Sequence, residues 1–179
     1  MSDEAKSDEA TMEQSTGNGL GGKLLWGIAG LVLGVILCGG GMFLMMPKMM
    51  LTIHQSRFDT IEETCAQLQK AIEKNGWSCP AIRDMKTAMA KHGVSFPNNA
   101  KIVELCKAEY AKEVLLTNPE VLTLMPCAWG VYKGPDGKVY ISGMNMGLMG
   151  KMFGGTIAKV MGTSVAADEK KMFADVVVK

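Results

Sequence analysis

Apolar positions are distributed along this chain in two different ways. From Leu24 to Met46 they form one uncharged run bounded by Lys23 and Lys48, which at ~1.5 Å per residue reaches ~34 Å as a helix. That length matches the hydrocarbon core of a bilayer, so the pattern predicts a transmembrane helix over 23–46. Beyond Pro47 the apolar residues recur at strand and helix spacings, which predicts one globular domain over 47–179. The first 22 residues hold five acids against a single lysine and few large apolar groups, so they are expected to be a disordered acidic tail.

Within the domain, Met49 to Ser56 is rich in β-compatible residues and reads as a first strand. The clearest helix follows. Thr60-Ile-Glu-Glu63 is a capping box, Ile61, Cys65, Leu68 and Ile72 recur at helical spacing, and Asn75-Gly76 stops the run. Trp77 to Arg83 is predicted as a short edge strand because it contains Pro80. Asp84 to His92 reads as a short helix closed by Gly93, with Met85, Ala88 and Met89 inward. Ala100 to Cys106 alternates as a strand, and Glu109 to Thr117 is helical before Asn118-Pro119. Leu122–Tyr132 and Lys138–Ser142 flank the turn Gly134-Pro-Asp-Gly137 and form a hairpin. Gly147 to Met161 and Ala166 to Val177 are predicted as helices.

Composition adds topology. The acidic lead and the length of the apolar run are wrong for a cleaved secretory signal, and Leu37 before Cys38 is too large for a lipoprotein cleavage box. A retained single-pass anchor in the cell membrane is therefore expected. Lys23 on one side against Lys48 and Arg57 on the other leaves orientation open by charge alone. Cys65, Cys79, Cys106 and Cys127 lie beyond the span, an even set that suits disulfides outside the cytoplasm and equally suits reduced thiols inside. Cysteine and methionine usage favours an extracytoplasmic, periplasm-like domain. Gly30 and Gly34 form a small-xxx-small pattern, a candidate homodimer contact between membrane helices. After Pro47, 17 Lys and Arg stand against 13 acids without a basic stripe, so no nucleic acid is expected as a partner.

The order of elements, together with Phe58-Asp-Thr-Ile-Glu-Glu-Thr64 and Leu68, Gly76-Trp77, Ile82-Arg-Asp84, Ala88, Gly93, Val114-Leu-Leu-Thr-Asn-Pro119, Leu124-Met-Pro126 and Asp136-Gly-Lys-Val-Tyr-Ile141, resembles the bacterial and archaeal domain-of-unknown-function 302 family. The resemblance covers about residues 49 to 143. It implies an α/β fold of the α+β kind, a two-layer domain with a curved antiparallel sheet and helices packed on one face, often self-associating. No established reaction is implied. Where many relatives have Gly-Asn-Pro after the third strand, this chain has Glu104-Leu-Cys-Lys-Ala-Glu-Tyr110, a departure expected of a membrane-anchored, cysteine-bearing branch.

The residues that carry candidate chemistry are few. Cys106 and Cys127 fall on or beside strands that an antiparallel pairing would bring together, as two small buried hydrophobes, a disulfide, a redox pair or two soft metal ligands. Neither belongs to a Cys-x-x-Cys. Met144, Met146 and Met149 are thioether candidates for a soft ion such as copper, and with Met152, Phe153, Ile157, Val160 and Met161 they also fit a deformable apolar face. Gly150-Lys151 lacks the remaining residues of a phosphate loop. His54 and His92 stand in no ligand or triad pattern, and Glu62, Glu63 and Asp168-Glu169-Lys170-Lys171 read as caps and solvated faces. The leading expectation is a membrane-anchored binding or accessory module that offers cysteine and methionine to a soft metal, small ligand or membrane partner. A thiol redox protein using Cys106 and Cys127, and a structural subunit of a membrane complex, are the alternatives.

Overall fold

The computed structural model describes residues 20–178, with side-chain detail at 26–41 and 49–178; the expected acidic tail therefore lies almost wholly outside the described residues. The chain divides into two compact units, Met1–Leu44 and Met45–Lys179. The first unit contributes most of helix α1, Leu20–Met50. Its described side chains run from Trp26 to Gly41, all exposed, and cover ~24 Å at ~1.5 Å per residue. Among the described residues no helix is long and apolar enough to cross a membrane. The predicted run of 24–46 continues past both ends of that stretch. The helix also does not stop at Pro47, as expected from the sequence, but continues to Met50.

The second unit is an α+β domain whose sheet holds five antiparallel strands in the order β1-β5-β4-β3-β2. β1 is Leu51–Gln55, β2 Ile82–Asp84, β3 Ala100–Leu105, β4 Cys127–Lys133 and β5 Val139–Met144. Together with α1, seven α-helices are described: α2 Ile61–Lys74, α3 Met85–Ala90, α4 Ala108–Thr117, α5 Met146–Phe153, α6 Gly155–Lys159 and α7 Ala166–Phe173 complete the set. Strand alternation gives the sheet two different faces. Val103, Leu105, Trp129, Val131, Val139 and Ile141 point to one side and are buried with Ile61, Cys65, Leu68 and Ile72 of α2 and Met172 and Phe173 of α7. The other face stacks Tyr132 on Tyr140, with ring centroids 6.0 Å apart, and leaves Leu51 and Ile53 exposed.

Local chemistry explains most boundaries. Thr60 caps α2 by accepting the Glu63 N–H at 3.2 Å, and Asp84 caps α3 by accepting the Thr87 N–H at 2.9 Å. The β4–β5 turn closes through Gly134 N–H to the Lys138 carbonyl at 2.8 Å, with Gly137 at φ 80°. Four expectations need correction. The second strand is only Ile82–Asp84, since Trp77 to Ala81 makes a single bridge, Ser78 to Cys106. α3 buries none of its residues and Ala88 is exposed, because one and a half turns at a sheet edge have little to pack against. Leu122 to Leu124 belong to a 3-10 helix, Pro119–Leu124, whose proline presets its first turn. The long helix expected over 147–161 breaks at Gly154 and Gly155, both at positive φ, and continues through α6 into a π-helical segment, Val160–Val165.

Candidate functional site

A broad concavity lies between edge strand β1 and helix α7. Thr52 and His54 face it from β1, Ala166, Glu169, Lys170, Phe173 and Ala174 from α7, and Val177 from the tail, around about 420 Å³. That volume falls in the range of small-molecule sites. The strand side exists because β1 pairs with β5 in the register Thr52 to Gly143 and His54 to Ile141, which turns the even-numbered β1 residues toward the helices. The helix side exists because positions 166, 169, 170 and 173 share one face of α7 at 3.6-residue spacing, with Ala174 following as its C-cap.

The walls are aromatic. His54 lies against Phe173 with ring centroids 5.1 Å apart, and Phe173 lies against Trp129 at 4.7 Å. Trp129 donates its indole N–H to Glu169 Oε1 at 3.1 Å, which fixes the carboxylate. Gly143 makes room for this arrangement: a Cβ there would meet Trp129 Cδ1 at 2.8 Å. Burial pushes the Glu169 carboxyl up to about 6, against the opposing effect of the Trp129 hydrogen bond. A group shifted by desolvation inside a concavity is a functional-site candidate on physical grounds.

Its neighbour Asp168 has the opposite environment. It faces away from the groove and accepts from Trp77 Nε1 at 3.2 Å, Lys107 Nζ at 3.3 Å, Tyr110 Oη at 3.2 Å and Lys171 Nζ at 3.1 Å. Burial opposes its ionisation, but the hydrogen bonds from Lys171, Trp77 and Lys107 prevail and hold the carboxyl below its ordinary value. Asp168 therefore clasps α7 to the start of α4. Lys107, which stands beside Cys106 in sequence, spends its charge on this clasp and lies 4.5 Å over the Tyr110 ring.

The residues singled out from sequence are placed as follows. Cys106 and Cys127 do come together, lining one small cavity with Met125 and Met161. Met146 lines a second small cavity with Cys127, Trp129 and Glu169. Met149 is buried in α5, and Met144 ends β5 opposite Leu51, with β4 lying between β5 and β3. Among the described residues no group of three or more His, Cys, Asp or Glu is disposed to hold a metal ion. Sequence reasoning missed Asp168 and Glu169 by assigning them to a solvated face. A usable signal was present: Val165, Asp168, Glu169, Met172, Phe173 and Val176 recur at alternating steps of three and one, the spacing of an inward helical face.

Comparison with known proteins agrees with this architecture. A crystal structure described as an uncharacterized conserved protein DUF302 from Bacillus stearothermophilus superimposes with a TM-score of 0.59 at 21% identity, covering 72% of this chain and 96% of that one. At that identity the likeness establishes the fold. No curated protein matches by sequence. The family model described as "Domain of unknown function DUF302" matches residues 52–176, so the chain belongs to the DUF302 family.

Proposed function

We propose that this chain is a single-pass, membrane-anchored binding module whose ligand is an apolar molecule carrying one protonated amine, received in the groove between β1 and α7. The observation that carries the reading is the Glu169 carboxylate, held by Trp129 on the wall of an aromatic-sided groove of about 420 Å³. A partly desolvated carboxylate gains more from an ammonium partner than an exposed one does, and the flanking Phe173 and His54 rings suit the apolar body beside it. Lys170 shares the rim but is exposed, so its ammonium keeps its hydration. Anchoring is supported by the uncharged run of 24–46 and by the exposed apolar residues Trp26, Leu31, Leu33, Val35, Ile36 and Leu37 of α1. The extracytoplasmic side remains the preferred placement of the domain. Gly30 and Gly34, small residues four apart on that run, are the contact of a helix-paired homodimer in this reading.

The test uses the full chain in a non-ionic detergent with naphthylmethylamine, naphthylmethanol and naphthoate, followed through tryptophan fluorescence. The amine is expected to bind roughly tenfold more tightly than the alcohol, and Glu169→Gln to abolish that preference while keeping an acceptor for Trp129. Tighter binding of the naphthoate would mean that Lys170 and His54 govern the groove and would refute the reading. Protease protection in sealed vesicles of defined orientation tests the anchor. Complete digestion of the domain from the cytoplasmic face would overturn its external placement.

A further inference from the structure

A second site, separate from the groove, lies where β3 and β4 end. Their antiparallel register pairs Leu105 with Cys127, which puts Cys106 beside it at the strand end. The same ladder end carries Met125, two residues before Cys127, and Met161 reaches the same place from the π-helical segment. Cys106, Cys127, Met125 and Met161 line one cavity of about 20 Å³. That is space for a single water-sized body, so no organic ligand fits. Trp77, Leu105 and Val165 make the surroundings largely apolar, which gives a bound water few polar partners.

From this gathering of two cysteines and two methionines around a space the size of one ion, we infer that the cavity is a binding site for a soft monovalent metal, Cu(I). The donor set decides the metal. Thiolate and thioether sulfur select Cu(I), whereas zinc sites draw on Cys, His and carboxylates, and no His or carboxylate lines this cavity. Of the methionines expected to serve, Met144, Met146 and Met149 do not line it, and Met125 and Met161 take their place. Binding is a proton exchange without electron transfer: Cu⁺ displaces one proton from each of Cys106 and Cys127, two Cu–S bonds replace two S–H bonds, and both protons leave to solvent. The Cys2Met2 complex then bears one negative charge.

The experiment titrates the full chain in detergent, free of oxygen, with Cu(I) against the chelator bicinchoninate, and counts protons released in weak buffer. One tightly held Cu(I) per chain and two protons per Cu(I) are expected. Met125→Leu with Met161→Leu conserves core volume and is expected to weaken binding roughly tenfold with the fold intact by circular dichroism. Cys106→Ser with Cys127→Ser is expected to remove the tight equivalent, leaving Cys38, Cys65 and Cys79 to supply only weak binding. A tight equivalent that survives the serine pair would overturn the site, and so would an unchanged affinity in the leucine pair. If the serine pair does not fold, the leucine pair decides alone, together with Zn(II): displacement of Cu(I) by equimolar Zn(II) would equally overturn it.

Discussion

Glu169→Gln should make this protein more stable at neutral pH and leave it unchanged in acid. The glutamine keeps an oxygen for the Trp129 indole N–H, which donates at 3.1 Å in the native protein, and nearly the same volume. What it removes is the cost of holding a charge where water is scarce. The carboxyl titrates at about 6 in the folded chain against 4.5 for the ordinary group. Its folded value is raised, so its contribution to stability is fully present below pH 4.5 and is lost as pH rises through about 6. At 1.36 kcal/mol per pH unit the loss is about 2 kcal/mol by pH 7.5. Urea denaturation of the full chain in non-ionic detergent, run for both proteins at pH 4 and pH 7.5, measures it. The variant should gain about 2 kcal/mol at pH 7.5 and be within about 0.5 kcal/mol of the native protein at pH 4. Equal stability at both values, or a variant weakened at pH 7.5, would show that the carboxylate is not desolvated and would remove the physical basis for the groove.

Three further outcomes follow from the same geometry. Asp168→Ala strands the donors of Trp77, Lys107 and Tyr110 and should cost about 3 kcal/mol at pH 7 by the same urea assay, less than a wholly buried network because Lys107 and Lys171 reach solvent. Since the Asp168 carboxyl is held below its ordinary 3.8, its contribution is present above that value and lost as pH falls through the folded one; the penalty should shrink in strong acid. Gly143→Ala puts a Cβ at 2.8 Å from Trp129 Cδ1 and should cost about 2 kcal/mol while weakening amine binding, read by the naphthylmethylamine titration. Gly150→Ala would bring a Cβ to 2.6 Å from the Gly162 Cα, backbone that cannot swing aside, and thermal melting should show a loss of about 3 kcal/mol.

What could be read in the sequence was what neighbours in the chain decide. The Thr60 N-cap, the Ile61-Cys65-Leu68-Ile72 stripe and the Gly134–Gly137 turn each carry their cause within a few residues, and each stands in the structure where the pattern puts it. The errors arose where a local pattern fits two structures. Leu122 and Leu124 alternate about Thr123 as a strand would, yet Pro119 presets a helical turn and the strand waits for Cys127. Half of the sulfur cavity was legible because Cys106 and Cys127 sit on strands that a simple antiparallel pairing joins. Met161 was not, since its arrival depends on two positive-φ glycines and a π-helical segment that no periodicity announces. The groove was hidden for a different reason: charged residues were assigned to solvent by type, when their spacing placed them inward.

Asp168 and Glu169 carry the argument for function because they are the same chemistry, one bond apart in the chain, with opposite outcomes. Asp168 is surrounded by four donors and is stabilised as an anion. Glu169 receives one donor and is destabilised as an anion. Both lie on one helical face, so packing alone does not explain why the second is an acid, and a leucine or glutamine would fill the same position at lower cost. Marginal stability leaves little room for an unused half-buried charge. Glu169 also lines the inner cavity shared by Cys127 and Met146 as well as the outer groove, so it separates the two. An ammonium arriving in the groove supplies the partner that the fold withholds, and should return Glu169 toward the ordinary carboxylate range. That shift, followed by proton uptake or release on adding naphthylmethylamine near pH 6, gives the reading its sharpest consequence: binding must expel protons from the complex, and a titration with no proton release would leave Glu169 without the role assigned to it.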